Sequence, residues 1–210
     1  MLDRLKKKAR RFFVDCKGSH DWEHTVRVYR LAAVIAKKEK ANLRIVEYAS
    51  LLHDIGRPAE DRSRGAKDHA LLGARMAGTW LKSEGMDPGE IGRIVDCIRT
   101  HRFRGDRKPG SLEAKVLFDA DKLDSIGAIG VGRAFLFAGE VGAKLHNKDA
   151  DISRTKGYSS EDTAWREYSV KLRFVKDRLM TRTGRKIAAA RHRFMTGFFN
   201  RLNREVDGIE

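Results

Sequence analysis

Five of the seven histidines, His20, His24, His53, His69 and His101, fall between positions 20 and 101. The last four lie on or beside apolar stripes of helical spacing, and two acids, Asp54 and Asp121, have similar settings. One histidine of this kind is commonly satisfied by a backbone carbonyl. Four of them with two acids would leave several buried polar groups unpaired, at about 1 to 3 kcal/mol each. A cation held by their lone pairs removes that cost, so the pattern points to metal-assisted chemistry. His53 and Asp54 are adjacent, and adjacent helical residues point about 100° apart. Both reach one ion only near a helix end, which Gly56 and Pro58 supply.

Other chemistries lack their residues. No serine sits in a nucleophile-elbow setting, no phosphate-cradling glycine loop with its lysine occurs, and neither Cys16 nor Cys97 has a CxxC partner. The glycines at 127–132 follow a helical pattern rather than a strand, so they are no dinucleotide fingerprint.

The elements that must position these side chains read as helices throughout, because apolar residues return at steps of three and four. A basic first helix carries Leu2, Leu5, Ala9, Phe12, Phe13 and Cys16 on one stripe, either as a packed helix or as a surface arm. Next come Asp21 to Lys40, with His24, Val28, Leu31 and Ile35 inward, then Leu43 to Ile55, then Lys67 to Ser83 with His69 in its first turn. Asp87, Pro88 and Glu90 announce a helix start whose stripe, Ile91, Ile94, Val95 and Ile98, arrives at His101. Ser111 opens the helix of Leu117 and Asp121, and a glycine-rich stretch follows at 127–142. Residues 144–158 read as a polar loop that could act as a lid. Ser159 and Asp162 look like a cap for a face of Trp165, Tyr168, Leu172, Val175 and Leu179, interrupted at Thr183 and Gly184. Ile187, Phe194, Phe198 and Leu202 then define a last helix. The expected fold is an all-α multi-helix bundle in one domain, 1–210, with a core at 20–135 and additional C-terminal helices at 160–207.

The order His24 in SHDWEHTVRVYRLA, His53 and Asp54 in YASLLHDIGRP, and Asp121 in FDADKLDSIGAIGVGRAF resembles the HD-domain superfamily of metal-dependent phosphohydrolases. The likeness runs from His20 to Arg133, with a weaker echo in RTGRKIAAARHRFM. It implies an HD-domain-like bundle and a first divalent ion, Mn, Fe, Zn or Ni, bound by His24, His53, Asp54 and Asp121. Asp119 competes with Asp121, which the resemblance favours because Lys122 and Leu123 follow it. His69 and His101 resemble the two extra histidines of binuclear members, where Asp54 would bridge both ions; helix capping or a phosphate contact is the other reading.

Such an ion lowers the pKa of bound water from 15.7 to about 7, which suits phosphate-ester hydrolysis. Cations complete the clamp on a phosphoryl oxygen. Lys122, beside a ligand, and Arg57, just past the His-Asp pair, stand out by position; Arg102 and Arg104 flank His101. His20, one turn before His24, could donate to a leaving group, orient a ligand or bond its helix N-terminus. Catalytic candidates are therefore Asp54, Lys122, His20 and Arg57, acting on a small phosphorylated metabolite or nucleotide. A mixed-valence di-iron oxygenase of the same superfamily is the alternative enzyme.

The formal net charge is +15 over 210 residues, but its location matters. Residues 1–17 hold seven basic and two acidic side chains, and 164–210 hold twelve and five, so the excess lies at the two ends. Those ends could serve a nucleic-acid-binding module with a structural metal. The middle of the chain, where the histidines lie, is close to balanced, so the basic excess does not explain its chemistry. No apolar run approaches the roughly 20 residues of a membrane span, and the first residues lack a secretory apolar stretch. With only two cysteines, a reducing cytoplasm is expected.

Overall fold

A computed structural model describes residues 2–14, 21–63, 66–102 and 107–209, and every regular element among them is helical. The chain forms two compact units. One holds the described residues up to Asp121 together with Met180–Thr183; the other holds Lys122–Leu179 and resumes at Gly184.

The first unit is built on α1 (Leu2–Arg10), α2 (Trp22–Glu39), α3 (Leu43–Leu52), α4 (Arg57–Arg62), α5 (His69–Ser83), α6 (Pro88–Thr100) and α7 (Leu112–Leu123) as far as Asp121. Short polar side chains start four of these helices by accepting amides that have no intrahelical partner. Asp21 accepts from His24 at 2.9 Å, Asn42 from Ile45 at 3.2 Å, Asp68 from Ala70 at 2.9 Å and Asp87 from Glu90 at 2.9 Å. Pairs α2 and α3, α5 and α6, and α3 and α6 pack together. Their shared core is Val28, Ala32 and Ile35 on α2, Ile45, Val46 and Leu52 on α3, Ala74, Ala77 and Leu81 on α5, and Ile94 and Ile98 on α6. Each buried Leu, Ile or Val contributes about 1.5 to 3 kcal/mol. The first helix packs: Leu5, Ala9 and Phe13 are buried, Lys6 lies over the Tyr29 ring, and Lys8 pairs with Glu84.

The chain departs from its sequence pattern just after α3. That helix stops at Leu52 rather than Ile55, four residues of turn follow, and Pro58 sits in the first turn of a short helix that periodicity does not reveal. Gly56 makes the turn feasible. A Cβ there would lie 2.4 Å from the His69 carbonyl oxygen and 2.8 Å from the Gly73 amide nitrogen, so only glycine lets this turn lie against α5.

The second unit contains α8 (Gly127–Glu140), α9 (Ala164–Val170) and α10 (Arg182–Val206), the last entering it at Gly184. Its centre is aromatic: Tyr168 stacks on Phe199 with centroids 4.4 Å apart, and Trp165 and Phe135 pack beside Phe199. Three sequence expectations shift here. Ser159 and Asp162 shape the preceding bend, Asp162 accepting the Tyr158 amide at 2.7 Å, while Thr163 caps α9 through the Arg166 amide at 3.0 Å. The face from Trp165 to Leu179 breaks at Lys171 (φ −139°) and continues as a 3₁₀ segment, Leu172–Arg178, which keeps Leu172 and Val175 buried. On α10 the buried residues are Ala188, Met195 and Phe199, one position beyond the expected Ile187, Phe194 and Phe198; Phe194 is 52% exposed. Aromatic residues at consecutive positions 198 and 199 left that choice open.

The polar segment 144–158 is fastened at its base. The Lys144 amide donates to Ser160 O at 2.8 Å, and Asn147 bonds both the Glu161 carbonyl and the Thr163 hydroxyl. Among the described residues no helix is long and apolar enough to cross a membrane.

Candidate metal centre

Helix ends deliver the candidate ligands. His24 lies in the first turn of α2, His53 directly follows α3, His69 begins α5, and His101 directly follows α6. All four imidazoles and Asp54 are at most 1% exposed. Asp121, on α7, shows 16% of its side chain to solvent.

Two groups of possible donors form, His24 with His53 and Asp121, and Asp54 with His69 and His101; within each, the ligating atoms lie within 4.8 Å of one another. Asp54 sits between them with one oxygen toward each. Its Oδ2 is 3.7 Å from His24 Nε2 and 3.7 Å from His53 Nε2, and its Oδ1 is 3.1 Å from His69 Nε2 and 3.6 Å from His101 Nε2. His24 Nε2 is 3.4 Å from Asp121 Oδ1.

The outer nitrogens decide what the inner ones offer. His53 Nδ1 donates to Ser50 O at 2.7 Å and His101 Nδ1 to Ile98 O at 2.6 Å. His69 Nδ1 donates to the Glu60 carboxylate. With the proton on Nδ1, each Nε2 carries a lone pair. The lone pairs of His69 and His101 then face each other at 3.2 Å, and His69 faces an Asp54 oxygen across 3.1 Å. These are acceptor-to-acceptor approaches. His53 Nε2 and Asp54 Oδ1 are buried without a hydrogen-bond partner. A cation is the species that makes such an arrangement favourable, so the residues fit a divalent ion.

Protonation states agree with that fit. Burial pushes the His53 imidazole down to about 4 despite the nearby Asp54 carboxylate, and burial also lowers His101. For Asp54, burial works upward, yet the Arg57 guanidinium beside it holds the carboxyl well below its usual range. Neutral imidazoles at His53 and His101 around an ionised Asp54 are what a metal needs, since ligands bind deprotonated.

The other candidates are placed as follows. Arg57, the first residue of α4, lies with Nε 3.7 Å from Asp54 Oδ2 and Nη1 3.3 Å from Glu60. Arg102 reaches Glu60 at 2.9 Å. Lys122 follows Asp121 on α7 and belongs to the second unit. His20, Arg104 and Cys16 lie outside the described residues. Cys97 is buried, with its thiol pushed up to about 12 by burial. Asp119 is committed elsewhere: its oxygens accept the Met180 amide at 2.8 Å, the Thr181 amide at 2.7 Å and the Thr181 hydroxyl at 2.6 Å. Glu60, buried beside His69, escaped the sequence reading. Its helix has only six residues, too short for periodicity to mark a buried position, and an acid two residues after Pro58 reads as an ordinary first-turn residue.

Known proteins bear on this arrangement. The HD domain family matches residues 21–126. The chain is 36% identical to YpgQ of Bacillus subtilis, an uncharacterised protein, over 200 residues, 93% of this chain and 89% of that one. The crystal structure of YpgQ in complex with ADP superposes with a TM-score of 0.78 at 32% identity, covering 100% of both chains. A predicted HD superfamily hydrolase from an uncultured Thermotogales bacterium superposes with a TM-score of 0.69 at 31% identity over 97% of this chain and 92% of that one. Ribonuclease Y of Borrelia garinii is 31% identical over 117 residues, but these are 56% of this chain and only 21% of that enzyme.

Proposed function

Since the chain belongs to the HD-domain family of hydrolases, we propose that it is a metal-dependent phosphohydrolase cleaving a phosphate ester of a small metabolite or nucleotide. The observation that carries this reading is the position of Asp54, with one oxygen toward each of two groups of inward lone pairs. His24, His53, Asp54 and Asp121 would hold one divalent ion, and Asp54, His69 and His101 a second. Bound there, such an ion supplies a Lewis acid and a water acidic enough to attack phosphorus at neutral pH.

The chain's own groups supply the rest. Arg57 presents a guanidinium beside Asp54, where it would neutralise a phosphoryl oxygen, and Lys122 is the second candidate for that task. His20 is the candidate donor to the leaving group. The histidines are nearly sealed, whereas the Asp121 and Arg57 side chains each keep 16% exposure, which supports an open catalytic face over a closed structural one. The ADP held by YpgQ supports a nucleotide as the ligand class.

The test is anaerobic addition of manganese to metal-free protein, followed by phosphate release from a panel of nucleotides, ADP included, and other phosphorylated metabolites. Release from one class, dependent on the metal, is expected. The same six donors would also suit a di-iron oxygenase. Oxygen uptake by the iron-loaded protein, with no phosphate release under any metal, overturns the proposal in favour of that reading.

A further inference from the structure

His69 differs from the other histidines of the centre in what stands behind it. His53 and His101 directly follow helices, where the last turns leave carbonyls without partners, so an acceptor for Nδ1 is available three residues back in each case. His69 instead begins α5, and the first turn of a helix offers only amide donors. Its Nδ1 finds an acceptor on another helix. Glu60 comes from α4 to provide one, and the same carboxylate accepts from Arg102 at 2.9 and 3.2 Å and from Arg57 at 3.3 Å.

A carboxylate only 5% exposed among two guanidiniums and an imidazole is a poor device for stability, because desolvation largely cancels the attraction in buried ionic networks. It is an effective device for orientation. We infer that Glu60 is the positioning residue of the His69 side of the centre: it selects the nitrogen that His69 turns inward and ties Arg57 and Arg102 to the same rim. The inference rests on the metal-centre reading above. His69 is alone of these three in having an anion behind it, and Arg102 Nη1 stands 3.1 Å from the same Nδ1.

Long-range ¹⁵N NMR of histidine-labelled, metal-free protein tests this without any assay of activity. The wild type should show His69 protonated on Nδ1. In Glu60→Ala that preference should give way to mixed tautomers. Glu60→Gln, whose amide oxygen still accepts, should preserve it in part and keeps the test open if the alanine variant does not fold. Cobalt titration should show the ion nearest His69 bound about 10- to 100-fold more weakly in Glu60→Ala, with a smaller loss in Glu60→Gln. Unchanged His69 tautomer and unchanged cobalt affinity in the folded variants overturn the inference. If instead the tautomer shifts as expected while the manganese-loaded wild type cleaves no phosphate ester, the positioning role stands and the hydrolase reading falls.

Discussion

His53 and Asp54 show how much chemistry two adjacent residues can carry once a helix stops beneath them. His53 belongs to one group of donors, and Asp54 stands between both. His53→Ala and Asp54→Ala should each abolish stoichiometric metal uptake and hydrolysis while leaving the far-ultraviolet circular dichroism helical; full activity in either variant would reject their assignment. The pH dependence follows from the same burial. In an unfolded chain a histidine titrates near 6.5, whereas folded His53 is pushed down to about 4 and His101 is also lowered. Above about pH 6.5 neither state holds the proton, so these groups leave stability unchanged. As pH falls from about 6.5 toward 4, the unfolded chain takes up protons that the folded site refuses, and stability drops. Asp54, held low, acts in a separate window: its contribution is present above about pH 3.9 and is lost only below it. The metal-free protein should therefore lose Tm steadily between about pH 6.5 and 4, and His53→Gln should flatten that slope. A Tm constant across the window contradicts the burial argument.

At the scale of elements, the centre depends on where helices begin and end. The turn after α3 rests against the start of α5 only because Gly56 has no side chain. Gly56→Ala should cost about 1 to 3 kcal/mol in urea unfolding, and it should weaken metal binding, since the backbone it would displace is that of His69. A variant with unaltered metal affinity would show that this contact does not set the position of His69. The starts of α2 and α6 were legible because Asp21, Asp87 and Pro88 are local signals that act within one turn. The existence of α4 and the Thr163 cap of α9 were not, since six- and seven-residue helices leave too little pattern to distinguish from loop.

At the scale of the whole molecule, Met180–Thr183 belongs to the first unit although the chain on either side belongs to the second. Asp119 holds it by three hydrogen bonds, and the Glu39 carboxylate accepts the Thr183 amide at 2.6 Å. Asp119→Ala would leave buried donors without an acceptor, at about 1 to 3 kcal/mol each. We expect a loss of about 3 kcal/mol in urea unfolding; a loss below about 0.5 kcal/mol would show that the segment is held by other means. The sequence by itself determined the all-α class, most helix positions and the identities of the six candidate donors. Those depend on periodicity, caps and residue chemistry, which act over a few residues. Only the tertiary structure decided that Asp54 stands between two groups, that Asp119 serves the returning segment, that Glu60 backs His69, and which of two adjacent phenylalanines on α10 is buried. Each of those is a matter of distances between residues far apart in the chain, set by packing that no local pattern encodes.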